Sequence, residues 1–411
     1  MSPAIIKSQD FYQSQANPSP GTAIEPPAVA IAQGFAQGPN PNPLPKAFQP
    51  LTIRNYTIKN RIWVSPMCTY SSDDGYATDF HLSHYSQYAM RGAGLIVVEA
   101  TGVLPEGRIT PNCLGIWKDE HVENLSRIVN HAHKYGAVMG IQLGHSGRKG
   151  STIPLHLYGT RDTLHASDSE GGWPNNIYGP SPIAYDDQHY TPREMTIADI
   201  GAVQQAFVDA AVRADKAGFD VIELHGAHGY LIYEFLSPLS NHRTDSYGGS
   251  FDNRVRFLVE IIRKIRQVWP KEKPLFVRVS ATDWVEGGWA IDDTVALARI
   301  VSAEGVDLID CSTAGNDPRQ KIPLAPGFQV PFATAVKEQV PEILTGAVGL
   351  ITKPSQVSEI TQNDKADVVF AAREFLRNPS FVLSTAHELG VYIKWANQYE
   401  RGRVKTKYSF V

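Results

Sequence analysis

The sequence predicts a (β/α)8 barrel with an N-terminal hairpin and a long βα loop after strand 3, and three observations predict it. Eight short apolar runs recur between residue 44 and the C-terminus, and amphipathic helical patterns separate them. The residues equipped for chemistry fall directly after the apolar runs, where a barrel builds its site. An open doubly wound sheet would put a glycine fingerprint after its first strand, but Ser65-Pro66-Met67-Cys68 follows here, with no GxGxxG.

Residues 1–43 form a Pro-rich N-terminal extension. Asn17-Pro18-Ser19-Pro20, Pro26-Pro27 and Pro39-Asn40-Pro41-Asn42-Pro43 interrupt any helical or strand pattern. The extension reads as disordered or extended, either mobile or strapped over the body. With one lysine and no apolar core, it makes a poor targeting signal. Residues 44–411 read as one barrel domain that includes the C-terminal tail. Leu51–Ile58 reads as a hairpin plugging the barrel bottom. The strands are expected at Ile62–Pro66, Leu95–Ala100, Val138–Leu143, Val221–Leu224, Leu275–Val279, Leu308–Cys311, Ile343–Thr345 and Val368–Ala371. Helices are expected at Leu82–Met90, Val122–Tyr135, Ile197–Ala217, Val255–Trp269, Thr294–Glu304 and Phe332–Val340. One more starts at Lys353-Pro354-Ser355 and runs to Ile360. The connection from Gly144 to Thr196 is rich in Gly, Pro and polar residues. A loop of that length is usually functional, and Trp173 and Tyr178 are its candidates for shaping substrate acceptance.

Composition narrows the function classes. In 411 residues, 42% hydrophobic and 10% aromatic content supply a large core. A net charge of −4 without a basic block argues against nucleic acid. No apolar run of about 18 residues suggests a membrane span. Cys68, Cys113 and Cys311 form no CxxC pair, which argues against zinc ribbons, iron–sulfur ligation and a disulfide framework. Those thiols fit a reducing compartment, with the cytoplasm as default.

The richest strand end is His225-Gly226-Ala227-His228-Gly229-Tyr230-Leu231 after strand 4. Two imidazoles can grip an oxygen, and a phenol can supply a proton without carrying charge. Other strand ends add Ser65, Pro66, Met67, Cys68 and Tyr70, then Glu99, Ala100 and Thr101, then Gln142, His145 and Arg148. Arg278 interrupts an apolar strand, so a carboxylate or a ligand must meet its guanidinium. Gly346-Ala347-Val348-Gly349 ends strand 7, and Ala371-Ala372-Arg373 ends strand 8, the customary phosphate position of this fold. From the residues alone, a barrel enzyme with a phosphate-bearing cofactor or substrate follows. Paired histidines could bind zinc, but no HExxH or convergent carboxylate accompanies them, so no metal is expected. A Schiff-base aldolase would want a lysine where Asp310-Cys311-Ser312 stands. Cys68 lacks a legible activating base for attack.

Read together, five motifs carry a resemblance. They are Ser65–Tyr70, Gln142–Lys149, His225–Leu231, Asn241–Ser250 and Gln398–Gly402. The chain from about Leu44 onward resembles the old yellow enzyme family of FMN-dependent ene-reductases, closest to the thermophilic-like or class III branch. The resemblance implies that Ser65, Pro66, Met67, Cys68, Ala100, Gln142, Arg278, Gly349, Ala372 and Arg373 bind FMN. It gives Gln142 the pyrimidine edge and Arg278 the N1 side, with Cys68 tuning the flavin. It implies that His225 and His228 hold the substrate carbonyl, that Tyr70 faces the substrate from the other side, and that Tyr230 protonates the α-carbon. NADPH is the implied reductant, and an α,β-unsaturated carbonyl compound the small-molecule substrate. A homodimer is implied too, with Arg401 reaching the neighbouring site. Two departures stand out: alanine at 371–372 where glycine is common, and a tail that continues past Gly402 to Val411. The alternatives left open are a flavin-free barrel lyase or aldolase on a phosphorylated substrate, and a flavin-binding pathway protein with little reductase turnover.

Overall fold

A computed structural model describes residues 18–407. Strands β1 (Leu51–Ile53) and β2 (Tyr56–Ile58) make the hairpin. The first barrel strands are β3 (Ile62–Val64), β4 (Leu95–Gly102) and β5 (Val138–Gly144). A short pair in the long loop follows, β6 (Tyr178–Gly179) and β7 (Arg193–Glu194). The barrel resumes with β8 (Val221–Gly226), β9 (Leu275–Ser280), β10 (Leu308–Ser312), β11 (Leu344–Ala347) and β12 (Val368–Ala371). These eight parallel strands close in sequence order, with β12 pairing β3.

The two-residue period of each strand sorts its side chains to either side of the barrel wall. Ile96, Val98, Ile141, Leu143, Ile222, Leu224, Val277, Val279 and Ile309 face outward into the core beneath the helices. Trp63, Val97, Val221, Phe276, Leu308, Val368 and Phe370 face inward at the barrel bottom, where Ile53 and Ile58 of the hairpin join them. Trp63 stacks on Phe276 at 6.1 Å and meets Phe370 edge-on at 5.4 Å. The hairpin therefore plugs the bottom as expected, and Arg54 at its turn is tied to Asp307 (2.7 Å). Two residues further along the strands the inward layer becomes polar: Ser65, Glu99, Gln142, Glu223, Arg278 and Asp310. Two more residues bring His225, Ser280 and Ser312. An apolar floor thus carries a polar layer with the catalytic candidates above it.

The helices follow their periodicity. Ile197–Lys216 opens on a capping box: Asp199 N–H donates to Thr196 Oγ1 (3.1 Å), and Thr196 N–H donates to Asp199 Oδ2 (2.8 Å). Such a cap contributes about 1 kcal/mol. In Phe251–Val268 the buried Val255, Leu258, Val259, Ile262 and Ile265 form one stripe against the barrel.

Among the described residues four α-helices escape the sequence reading, one of them Ala28–Ala32 in the extension that was expected to be disordered or extended. Leu231–Leu236 is buried at every position, so no amphipathic period marks it. Arg373–Arg377 and Phe381–Glu388, after the last strand, are too short for periodicity to be legible. The extension is strapped down over residues 18–43; its earlier part lies outside the described residues. Gly21 N–H donates to the Lys394 carbonyl (2.8 Å), Lys394 N–H to Thr22 (2.8 Å) and Ile24 N–H to Tyr392 (3.1 Å). Ala28–Ala32 of this segment is helical. Among the described residues no helix is long and apolar enough to cross a membrane.

Candidate active site

After β8 the backbone turns through His228 and Gly229, with φ of 60° and 69°. Gly229 is required there by close approach. A Cβ would lie 2.3 Å from the Gly315 carbonyl oxygen, so the loop after β8 is wedged against the loop after β10. His228 N–H donates to Ser280 Oγ (2.8 Å), and its Nε2 lies 2.8 Å from Ser312 Oγ. The His225 ring stands edge-on to His228 at 5.2 Å and to Tyr230 at 4.9 Å. The three rings singled out in the sequence therefore form one cluster.

Burial sets their protonation. It drives both imidazoles well below their ordinary value, with the Arg278 charge adding to the effect. Each is a neutral ring at neutral pH and can donate a single N–H. Burial likewise pushes the Tyr230 phenol well above 10, so it keeps its proton. Lys149, part of a quoted motif but given no role there, is the residue sequence reasoning missed. Its Nζ donates to the carbonyls of His228 and Gly315 (2.9 Å each) and lies 5.1 Å from the Tyr230 ring centroid. Burial lowers its ammonium to about 8. Only the tertiary contact reveals it.

Below this cluster, Gln142 stands opposite Glu223 in register, and Arg278 stands between His225 and Asp310. Gln142 Nε2 donates to Glu223 Oε1 (2.8 Å), and its amide oxygen accepts no hydrogen bond among the described residues. Arg278 Nη1 donates to Ser65 Oγ (2.9 Å), while Nε faces Asp310 Oδ2 at 3.3 Å without an aligned hydrogen bond. The guanidinium thus meets a carboxylate and still retains unused donor capacity.

Pro66, Met67, Cys68 and Tyr70 are half-buried along the loop after β3. Glu99 holds that loop from inside, accepting from Thr69 N–H and hydroxyl (2.7 Å each) and from the Tyr85 hydroxyl (3.3 Å). Contact with the Cys113 thiol, then burial, push the Cys68 thiol well up, so it remains a thiol and not an activated nucleophile. Ala100 lines a cleft with Gly144, His145, His225 and Tyr230. Tyr70 shares a pocket with Ile153, Pro154 and Leu157 of the long loop. That loop does reach the site, but not through the expected residues. Tyr178 is buried, its hydroxyl donating to Glu106 (3.1 Å) and lying 3.0 Å from His145 Nε2, and Trp173 packs on Arg108 at 5.0 Å. Both hold the loop in place.

After β11, Gly349 is half-buried beside the Gln329 amide. Ala372 precedes the helix Arg373–Arg377, whose first N–H groups have no side-chain cap. Arg373 is exposed, and among the described residues it makes no ion pair. Arg401 is not brought to the cluster within its own chain. It is exposed in the 3-10 turn Asn397–Gly402, where Tyr399 packs on Arg91 (5.4 Å). Arg91 ends the helix Asp79–Met90 at the barrel end opposite the strand C-termini. Among the described residues no three His, Cys, Asp or Glu side chains converge as a metal site.

A flavin mononucleotide fits this donor set. Its pyrimidine edge alternates N–H and C=O groups, and the Gln142 amide oxygen and Arg278 offer the complementary acceptor and cation. Its phosphate matches the uncapped N–H groups and free guanidinium at 372–373. Known proteins agree. The family model described as NADH:flavin oxidoreductase / NADH oxidase matches residues 46–390. The NADPH dehydrogenase of Bacillus subtilis is 48% identical over 359 residues, covering 87% of this chain and 99% of its own. An NADH:flavin oxidoreductase of Gibberella zeae is 44% identical over 400 residues, covering 93% of this chain and 94% of its own. Among solved structures, morphinone reductase shares the fold with a TM-score of 0.69 at 24% identity, covering 85% of this chain and 91% of that one. These matches leave no room for the flavin-free lyase alternative. An FMN-type donor set at the mouth of a barrel, and a family match across most of the chain, lead to one conclusion: this protein is an oxidoreductase of the NADH:flavin oxidoreductase / NADH oxidase family, the old yellow enzyme family.

Proposed function

We propose that this enzyme uses NADPH to reduce the activated C=C bond of α,β-unsaturated carbonyl compounds, with FMN held by Ser65, Pro66, Met67, Cys68, Ala100, Gln142, Arg278, Gly349, Ala372 and Arg373. The observation that carries the reading is the edge-on cluster of the His225, His228 and Tyr230 rings, in which burial keeps both imidazoles neutral and the phenol protonated. FMN bound by these residues would supply the hydride chemistry, with NADPH as the source and the substrate β-carbon as the acceptor. His225 and His228 each give one N–H to the carbonyl oxygen, where enolate charge accumulates as the β-carbon is reduced. Tyr70, under the long loop, closes the opposite side of the substrate. Tyr230 delivers its hydroxyl proton to the α-carbon, and the Lys149 ammonium against its ring favours the phenolate left behind. The name NADPH dehydrogenase borne by the Bacillus relative supports the choice of reductant.

Anaerobic stopped-flow tests the reading. NADPH should bleach the flavin, and an enone such as cyclohexenone should restore its colour. Tyr230→Phe removes a hydroxyl that makes no hydrogen bond among the described residues, so flavin reduction should stay within a few-fold. Reoxidation by enone should slow by about 10²–10⁴-fold. Equal losses in the two half-reactions would overturn the proton-donor role. We also propose a homodimer in which Arg401, exposed at the barrel end opposite its own site, reaches the partner's. Sedimentation should give twice 45.2 kDa, and a monomer would refute it.

A further inference from the structure

The polar layer inside the barrel has more negative groups than its donors can satisfy. Glu99 takes its own donors from Thr69 and Tyr85. Glu223 and Asp310 are both fully buried and face the single guanidinium of Arg278. Among the described residues one hydrogen bond, from Gln142, reaches Glu223 Oε1, while Glu223 Oε2 and both Asp310 oxygens accept none. Two bare carboxylates around one cation would leave an uncompensated buried charge, which a dehydrated interior strongly disfavours. A proton shared between them makes the trio neutral. Burial favours that state: it pushes Glu223 up to about 8, with the Asp310 charge adding to it, and Asp310 up to about 6.

The groups facing Glu223 are Gln142 from β5, Arg278 from β9 and Asp310 from β10. His225, next inward on its own strand, is held neutral by burial. Among the described residues no other cation touches the pair. Arg278 therefore serves two clients: the carboxylates beneath it and any negative charge on a ligand beside it.

We propose that Glu223 and Asp310 form a proton-storing pair that takes up a proton from solvent when negative charge arrives on the ligand side of Arg278, and releases it when that charge leaves. This rests on the reading that FMN lies against Gln142 and Arg278. Hydride transfer from NADPH to a flavin held there would move two electrons and one proton onto it and add one negative charge. The solvent proton accepted by the pair balances that charge, and hydride delivery to the alkene returns the proton. Glu223 and Asp310 are positioning residues: they set the potential that Arg278 presents without touching the substrate.

The test is proton uptake on anaerobic reduction of the holoenzyme by NADPH, followed with a pH-indicator dye in weak buffer near pH 7. Hydride transfer alone consumes no solvent proton, so zero uptake by flavin-containing wild-type protein overturns the proposal. The expected result is measurable uptake that is lost in Glu223→Gln, whose amide still accepts from Gln142, and lost in Asp310→Asn. Uptake that persists in both variants also overturns it, by placing the proton elsewhere. If one variant fails to fold, the other and the midpoint potential against pH decide: wild type should show the steeper slope. A colourless protein that binds no FMN would instead refute the reading on which the proposal rests.

Discussion

Gly229 and Gly249 offer a controlled measurement of what the wedge between two loops is worth. Both have positive φ, 69° and 78°, so alanine at either position carries the left-handed penalty of about 1–2 kcal/mol. At Gly249 a new Cβ meets nothing within 4 Å. At Gly229 it lies 2.3 Å from the Gly315 carbonyl oxygen and 2.7 Å from Asn316 Cα, both backbone atoms that cannot rotate away. Ordinary contact is about 3.5–4.0 Å, so one loop must retreat by about 1 Å. Overpacking of this kind costs about 1–3 kcal/mol. Gly229→Ala is therefore expected to lose roughly 2–5 kcal/mol of stability, and Gly249→Ala only the backbone share. Because Gly315 bears on the His228 backbone, the same retreat moves an imidazole by an amount that costs catalysis about 100-fold. Urea unfolding and kcat/KM for an enone, measured on both variants, check this. Equal stability and equal activity in the two variants would refute the wedge.

Two further perturbations probe the layers around the site. Arg278→Met strands Asp310 and Glu223 without their cation, and is expected to cost about 3–5 kcal/mol and to lower the flavin content of purified protein. An unchanged urea midpoint would contradict it. His84, packed among Phe80, Tyr85 and Tyr88, has its value lowered by burial from 6.5 to about 4. The unfolded chain takes the proton first, so the stability tied to this ring is complete above pH 6.5 and is lost as pH falls towards 4. A gap of that size is worth roughly 3 kcal/mol. His84→Phe should flatten the fall in urea midpoint between those pH values, and parallel curves for the two proteins would count against the assignment.

The barrel was legible because each strand is a short apolar run and each long helix carries a stripe. Burial on one face writes both patterns into the sequence. Leu231–Leu236 was not legible, since burial on every side erases the period. At the site, His225, His228, Tyr230, Gln142 and Arg278 stood out as polar residues at strand ends, where an apolar run stops or is interrupted. Lys149 did not, because its significance lies in carbonyls of residues 228 and 315, which are remote in sequence. Tyr178 and Trp173 illustrate the converse. Aromatics in a long loop suggested substrate contact, yet their polar atoms and rings are used to fold the loop back onto Glu106, His145 and Arg108.

By itself the sequence determined the barrel, its hairpin plug, the order of the strand ends and the chemical types offered there. These depend on local periodicity and on motifs that each occupy a few consecutive residues. Only the tertiary structure decided which groups share a layer and in what state of charge. That Glu223 and Asp310 confront one guanidinium, that His225 and His228 are neutral, and that Glu99 anchors the Cys68–Tyr70 loop all follow from closure of the barrel. Closure brings residues from β3 to β10 into one buried interior, where desolvation and pairing, set by neighbours far apart in the chain, fix each proton.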